Sequence, residues 1–184
     1  AVKGLEEDRV TIMSTDGQIT VYVHGTEAEA TREADEALRS AMTRLQEIEK
    51  KLNIYDGSSE LSRLNAAAGG DWMDISATTG EAIEASRRAW QASGGAFNPL
   101  VGSLVRLWRE AETRNRLPTE DEIGKALTLL DMQEVLVEPL KEGGYRARLT
   151  QAGMRLDLGG LAKGWASQET VDVLRGHAGM RAAL

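Results

Sequence analysis

Ile19, Val21 and Val23 alternate with polar neighbours and predict a strand over residues 18–24. Arg9 to Ser14 reads as its hairpin partner, with Asp16-Gly17 as the turn. Thr26-Glu-Ala-Glu29 has the form of a capping box. It opens a long helix in which Ala30, Ala34, Leu38, Ala41, Leu45, Ile48 and Leu52 recur at helical spacings. The other face of that helix is dense in Glu and Arg and reads as a solvated face rather than a binding surface.

A short helix is predicted around residues 59–65. Ser76 can cap a helix running to about Ser93, where Gly94-Gly95 stops it. Pro99 suits the first turn of the next helix, with Leu100, Leu104, Leu107 and Trp108 on one face. Thr119-Glu-Asp-Glu122 is a second capping box, followed by Ile123, Ala126, Leu127 and Leu130. Strands are predicted over 134–138, 145–149 and 154–158, and a last helix from about Ala162 to Arg175. Gly179 to Leu184 reads as the start of a further strand. Strands and helices fall in separate runs, so the predicted class is α+β rather than a doubly wound sheet. Trp72, Trp90 and Trp108 sit in apolar patterns and are expected in the core.

Composition narrows the function classes more than it names one. The chain has 184 residues, 41% hydrophobic and 28% charged, which is ordinary for a globular protein. A net charge of −7 with no basic run argues against a nucleic-acid partner. No apolar stretch approaches the length of a membrane span. The absence of Cys removes disulfides and thiolate chemistry but does not decide the compartment. His24 and His177 fit no ligand pattern and read as surface or turn residues.

The stretch Arg155-Leu-Asp-Leu-Gly-Gly-Leu-Ala-Lys-Gly-Trp165 carries the first chemical signal. It reads as a strand ending in an acid, Asp157, then a Gly159-Gly160 turn, then a helix start bearing Lys163. Glycines allow close backbone approach, and a helix N-terminus offers N–H groups to an anion. That combination suits a phosphate-bearing ligand or a metal–phosphate pair. An ordinary strand-to-helix turn is the plainer reading.

Four segments together resemble the ApbE family of FAD:protein FMN transferases. They are Ile54-Tyr55 with Ser58-Ser-Glu-Leu-Ser-Arg-Leu-Asn65; Gly94-Gly-Ala-Phe-Asn-Pro-Leu-Val-Gly102; Leu107-Trp108; and Asp157 to Trp165. The resemblance spans roughly Val10 to Leu184 and implies T-fold-like antiparallel sheets with packed helices. It implies that FAD is the substrate, split at its pyrophosphate with Mg²⁺, and that FMN passes to a Thr or Ser hydroxyl of a flavoprotein subunit. The alternatives are a non-catalytic FAD binder and a pyrophosphatase that releases FMN and AMP. The acceptor would belong to an electron-transfer or sodium-pumping complex, and the compartment would be the cell envelope or periplasm. Any membrane anchor would belong to the full-length precursor only.

Residue by residue, the resemblance places Met13, Tyr55, Ala96, Phe97, Asn98, Asp157 and Lys163 at cofactor-binding positions, and the Gly160 carbonyl at a metal-ligand position. A strand-end core Met and a half-buried structural Tyr are the plainer readings of Met13 and Tyr55. Ser14-Thr15 stands where the family has Gly-Thr, Trp165 where Tyr is common, and Asn98 where many members have Asp. An amide cannot act as a base, although it can cap the turn before Pro99. No catalytic residue is assigned. The family's remaining metal ligands lie in a later segment. The expectation is therefore a single family domain over 1–184, truncated at its C-terminus and weakly active or inactive by itself.

Overall fold

The computed structural model describes residues 5–12, 15–23, 26–177 and 180–183. Two compact units divide the chain, residues 1–50 with 163–184, and residues 51–162. Helices and antiparallel sheets occupy both, so the class is α+β.

In the first unit, β1 (Leu5–Ile12), β2 (Thr15–Val23) and β6 (Met180–Ala183) form an antiparallel sheet in the order β1-β2-β6. Ile19 and Val21 are buried on central β2, as their alternation predicts. The expected turn at Asp16-Gly17 is overturned: Thr11 pairs with Asp16, Val10 with Gly17 and Ile12 with Thr15. A period of two fixes which face is buried, but not where the hairpin reverses. Here pairing continues past the Asp-Gly signal.

Helix α1 (Glu27–Leu52) starts where the capping box places it. The Thr26 hydroxyl donates to Glu29 Oε2 at 2.6 Å, and the Thr26 N–H reaches the same oxygen at 3.4 Å. Its whole predicted stripe from Ala30 to Leu52 is buried, joined by Ala37. Helix α6 (Gly159–Arg175) contributes buried Ala166, Thr170 and Leu174 to this unit. Arg44 of α1 bonds Glu169 of α6 at 2.7 Å and sits 5.9 Å from the centroid of the Trp165 ring.

In the second unit, β3 (Met73–Ile75), β5 (Tyr145–Leu149) and β4 (Val135–Pro139) form an antiparallel sheet in the order β3-β5-β4. The three residues of β3 carry too short a pattern to be read from sequence. Helices α2 (Glu60–Ala66), α3 (Ala77–Ala92), α4 (Gly102–Thr113) and α5 (Glu120–Leu127) lie between the strands in the chain. Ser59, Ser76 and Thr119 cap α2, α3 and α5, and a single 3₁₀ turn, Pro99–Val101, precedes α4. The buried interior includes Leu61, Leu64, Ile83, Leu100, Met132, Leu149, Met154, Leu156 and Leu158.

Three expectations fail in this unit. Trp108 is 50% exposed and Leu127 52%, because the buried residues of α4 are the small Gly102, Ser103 and Ala111, and of α5 only Ala126. Trp72 and Trp90 are half-buried rather than core, Trp72 beneath the Arg146 guanidinium at 4.6 Å. Residues 154–158 are not a strand. Their backbone is held by other means, described next. Among the described residues no helix is long and apolar enough to cross a membrane.

Candidate functional site

The site assembles around the extended segment 154–158 of the second unit. An extended backbone needs hydrogen-bond partners, and here a side chain substitutes for a neighbouring strand. Buried Asn65, on α2, accepts from the Leu156 N–H through Oδ1 at 2.7 Å and donates from Nδ2 to the Leu156 carbonyl at 2.9 Å. The next residue, Asp157, donates its N–H to the Pro99 carbonyl at 2.7 Å. This one bond joins the Asp157 segment to the loop carrying Ala96, Phe97 and Asn98.

The turn after Asp157 differs from the expected glycine turn. Gly159 and Gly160 are the first residues of α6, and neither has a positive φ. Asp157 makes the turn itself, accepting the Gly159 N–H on Oδ1 at 2.9 Å, an Asx-type arrangement. Gly160 lies close to another segment: a Cβ there would stand 3.2 Å from the Phe97 ring, which would have to give by a few tenths of an ångström. Gly102 has a stricter version of the same role. A Cβ at that position would lie 2.7 Å from the Arg155 carbonyl oxygen, so the start of α4 rests directly on the Asp157 segment.

Asn98 spends both ends of its amide on the protein. Oδ1 accepts from the Leu100 N–H at 2.9 Å and Nδ2 donates to the Leu130 carbonyl at 2.7 Å. It therefore caps the 3₁₀ turn, and what it sets is the shape of the loop. Ala96 is exposed and Phe97 half-buried.

Tyr55 is 71% exposed, with its hydroxyl accepting from Arg109 Nη2 at 3.0 Å and its ring centroid 5.2 Å from the Arg109 guanidinium. That hydrogen bond first, and the Asp157 carboxylate further off, favour the charged form of Arg109. Arg109 and Asp157 line one cleft of about 240 Å³ with Ile54, Gly102, Arg106 and Arg155. Arg155 Nη2 reaches the Ile54 carbonyl at 3.4 Å, which ties the Tyr55 loop to the Asp157 segment. A larger open groove of about 1050 Å³ runs along α4 beside Trp108 and Leu117 and shares Arg109, but none of the candidate cofactor or metal residues lines it.

The structure thus brings Tyr55, Phe97, Asn98, Asp157 and Gly160 into one set of connected segments. Lys163 is exposed and belongs to the first unit. Met13 lies outside the described residues. Sequence reasoning missed Arg109 and the role of Asn65. The available signal for Arg109 was the stripe Gly102, Val105, Arg109 and Thr113, a helical spacing that mixes small and charged residues on the cleft side.

The cleft gathers guanidinium groups with the carboxylates of Asp157 and Glu110 in one small volume, and the Tyr55 ring is bonded to its Arg109. That set can hold a ligand joining a planar ring system to an anionic group. Residues 13–184 match the ApbE family. The chain is 35% identical over 148 residues to the FAD:protein FMN transferase of Treponema pallidum, covering 79% of this chain and 41% of that protein. It is 33% identical over 142 residues to the enzyme of the same name from Klebsiella pneumoniae, covering 77% and 44%. The fold matches the Pseudomonas stutzeri flavinyl transferase ApbE with a TM-score of 0.79 at 21% identity, over 98% of this chain and 55% of that one. The chain therefore spans less than half the length of the two curated relatives.

Proposed function

The chain belongs to the ApbE family, and from that membership we propose that it forms the flavin-holding part of an FAD:protein FMN transferase. In this reading a Thr or Ser hydroxyl of a flavoprotein acceptor attacks the phosphorus of the FMN half. The P–O bond to the AMP phosphate breaks, the hydroxyl proton passes to a base, and AMP leaves. Positioning and charge neutralisation supply the acceleration in such a transfer.

The observation that carries the proposal is the shared cleft of Arg109 and Asp157 with the Tyr55 ring at Arg109. Tyr55 supplies an aromatic surface for the isoalloxazine ring. Arg109 and Arg155 supply positive charge toward the phosphates, and Asp157 a carboxylate beside them. Asn65 keeps that carboxylate in place through the backbone of Leu156.

Magnesium, which in this chemistry would neutralise the pyrophosphate, needs about six oxygen donors in octahedral array. Asp157 and the Gly160 carbonyl are oxygen donors of suitable hardness. The described residues contain no group of three or more His, Cys, Asp or Glu able to hold a metal. These residues do not make a magnesium site by themselves.

Asn98 favours a second reading, an FAD binder without turnover. Its amide carries no charge, and both of its ends are engaged by Leu100 and Leu130. One experiment separates the readings. The full-length protein is incubated with FAD, Mg²⁺ and a Thr-bearing acceptor peptide, and the products are resolved by mass spectrometry. The proposal expects FMN joined to Thr and an equal amount of AMP. Free FMN and AMP would mean hydrolysis, and bound, intact FAD would mean a binder. An envelope location and an acceptor in an electron-transfer or sodium-pumping complex extend this proposal. Cell fractionation and mass spectrometry of flavinylated proteins test them.

A further inference from the structure

An exposed tyrosine is a poor platform for a planar ligand unless something fixes it. Its side chain otherwise samples several rotamers, and binding must then bear the ordering cost. Tyr55 is 71% exposed, yet Arg109 holds it twice. The Nη2–H···Oη bond of 3.0 Å fixes the hydroxyl end, and the guanidinium lies 5.2 Å from the ring centroid. Arg109 is itself carried by α4, whose first residue Gly102 rests on the backbone of Arg155. The ring is thus referenced, through one rigid helix, to the segment that presents Asp157.

We infer that Arg109 is a positioning residue that clamps the Tyr55 ring as a preformed stacking surface for the flavin of FAD. This inference rests on the flavin-site reading above. With Arg109 in place Tyr55 is still 71% exposed, so ring surface remains open to a ligand. The bond and the ring contact use the planar, forked shape of guanidinium, which the single ammonium of Lys does not reproduce.

The test uses the full chain and its Arg109→Leu, Arg109→Lys, Tyr55→Phe and Arg109→Leu/Tyr55→Phe variants. FAD is titrated into each, and both the dissociation constant and the flavin fluorescence at saturation are read. Thermal melting is run alongside, and unchanged melting is expected because Arg109 and Tyr55 are both exposed. Loss of a preorganised contact predicts FAD binding weaker by about three- to tenfold in Arg109→Leu, with part of the fluorescence quenching lost. Arg109→Lys should recover little of it. Tyr55→Phe breaks the same hydrogen bond, so the double variant should bind less weakly than the two single losses multiplied together predict. An Arg109→Leu variant that binds and quenches like the parent overturns the inference and removes Arg109 from the phosphates, while leaving a flavin site on Tyr55, Arg155 and Asp157 standing. Fully multiplicative losses in the double variant overturn it too. A parent protein that binds no FAD overturns both the inference and the reading beneath it.

Discussion

Asn65→Ala removes two hydrogen bonds to one buried residue. Leu156 is fully buried and Asn65 is 8% exposed, so water does not readily replace the lost partners. Leaving a buried donor or acceptor unsatisfied costs about 1–3 kcal/mol each. The Leu156 N–H and carbonyl together therefore predict a loss of roughly 2–6 kcal/mol. At a melting shift of about 2–4 °C per kcal/mol for a chain of this size, the expected fall is on the order of 4–24 °C. Hydrogen exchange gives the local check, since the Leu156 amide should exchange faster in the variant. Asn65→Asp sharpens the argument. Its carboxylate keeps one acceptor but turns a second oxygen toward the Leu156 carbonyl, in a buried site that disfavours charge. The folded-state pKa of that Asp should rise above its unfolded value. Its proton is then held by the folded state, so the variant should regain stability as the pH falls toward 4 and lose it as the pH rises. An Asn65→Ala protein that melts within about 2 °C of the parent, with unchanged exchange at Leu156, would refute the reasoning.

Glu60 provides a second pH dependence, of opposite sign. Partial burial pushes its carboxyl up, but hydrogen bonds from Thr79, Ser76 and Lys51 outweigh burial and hold its pKa at about 2. That stabilisation is complete above the ordinary 4.5 and is lost as the pH falls toward 2. It corresponds to roughly 3 kcal/mol before screening and about 1–2 kcal/mol for a partly exposed group. Urea unfolding at pH 7 and pH 3 should show this loss in the parent and a flatter response in Glu60→Gln. Gly102→Ala places a methyl against the Arg155 carbonyl and should cost about 1–3 kcal/mol, with FAD affinity falling as well; unchanged melting would remove the close approach from the account. Asp157→Asn keeps an acceptor for the Gly159 N–H but drops the charge. Melting should therefore hold while FAD-dependent turnover of the full-length protein falls, and unaltered turnover would take the carboxylate out of the site.

The helix starts were legible because capping is local. Thr26, Ser76 and Thr119 announce their helices within four residues of sequence. The stripe of α1 was legible for the same reason, since one period runs through all of it. What failed was set by partners far along the chain. The alternating pattern of 154–158 looks like a strand, but its hydrogen bonds go to Asn65 and Pro99 rather than to a ladder. Arg109 and Tyr55 stand 54 residues apart, and neither carries a local mark of the other. Trp108 reads as core from its apolar pattern, yet small Gly102, Ser103 and Ala111 take the buried positions of α4. Asn65, Asn98 and Asp157 lie in the segments that carry the resemblance, and each joins segments distant in the chain, a role that periodicity does not reveal.

The proposed flavin site is the cleft lined by Arg109 and Asp157, with the Tyr55 ring bonded to Arg109. A crystal structure of the protein with FAD decides it. The isoalloxazine ring is expected against Tyr55, with the phosphates on the side of Arg109 and Asp157. Flavin bound elsewhere, with Tyr55 uncontacted and no ligand along this cleft, would remove the site.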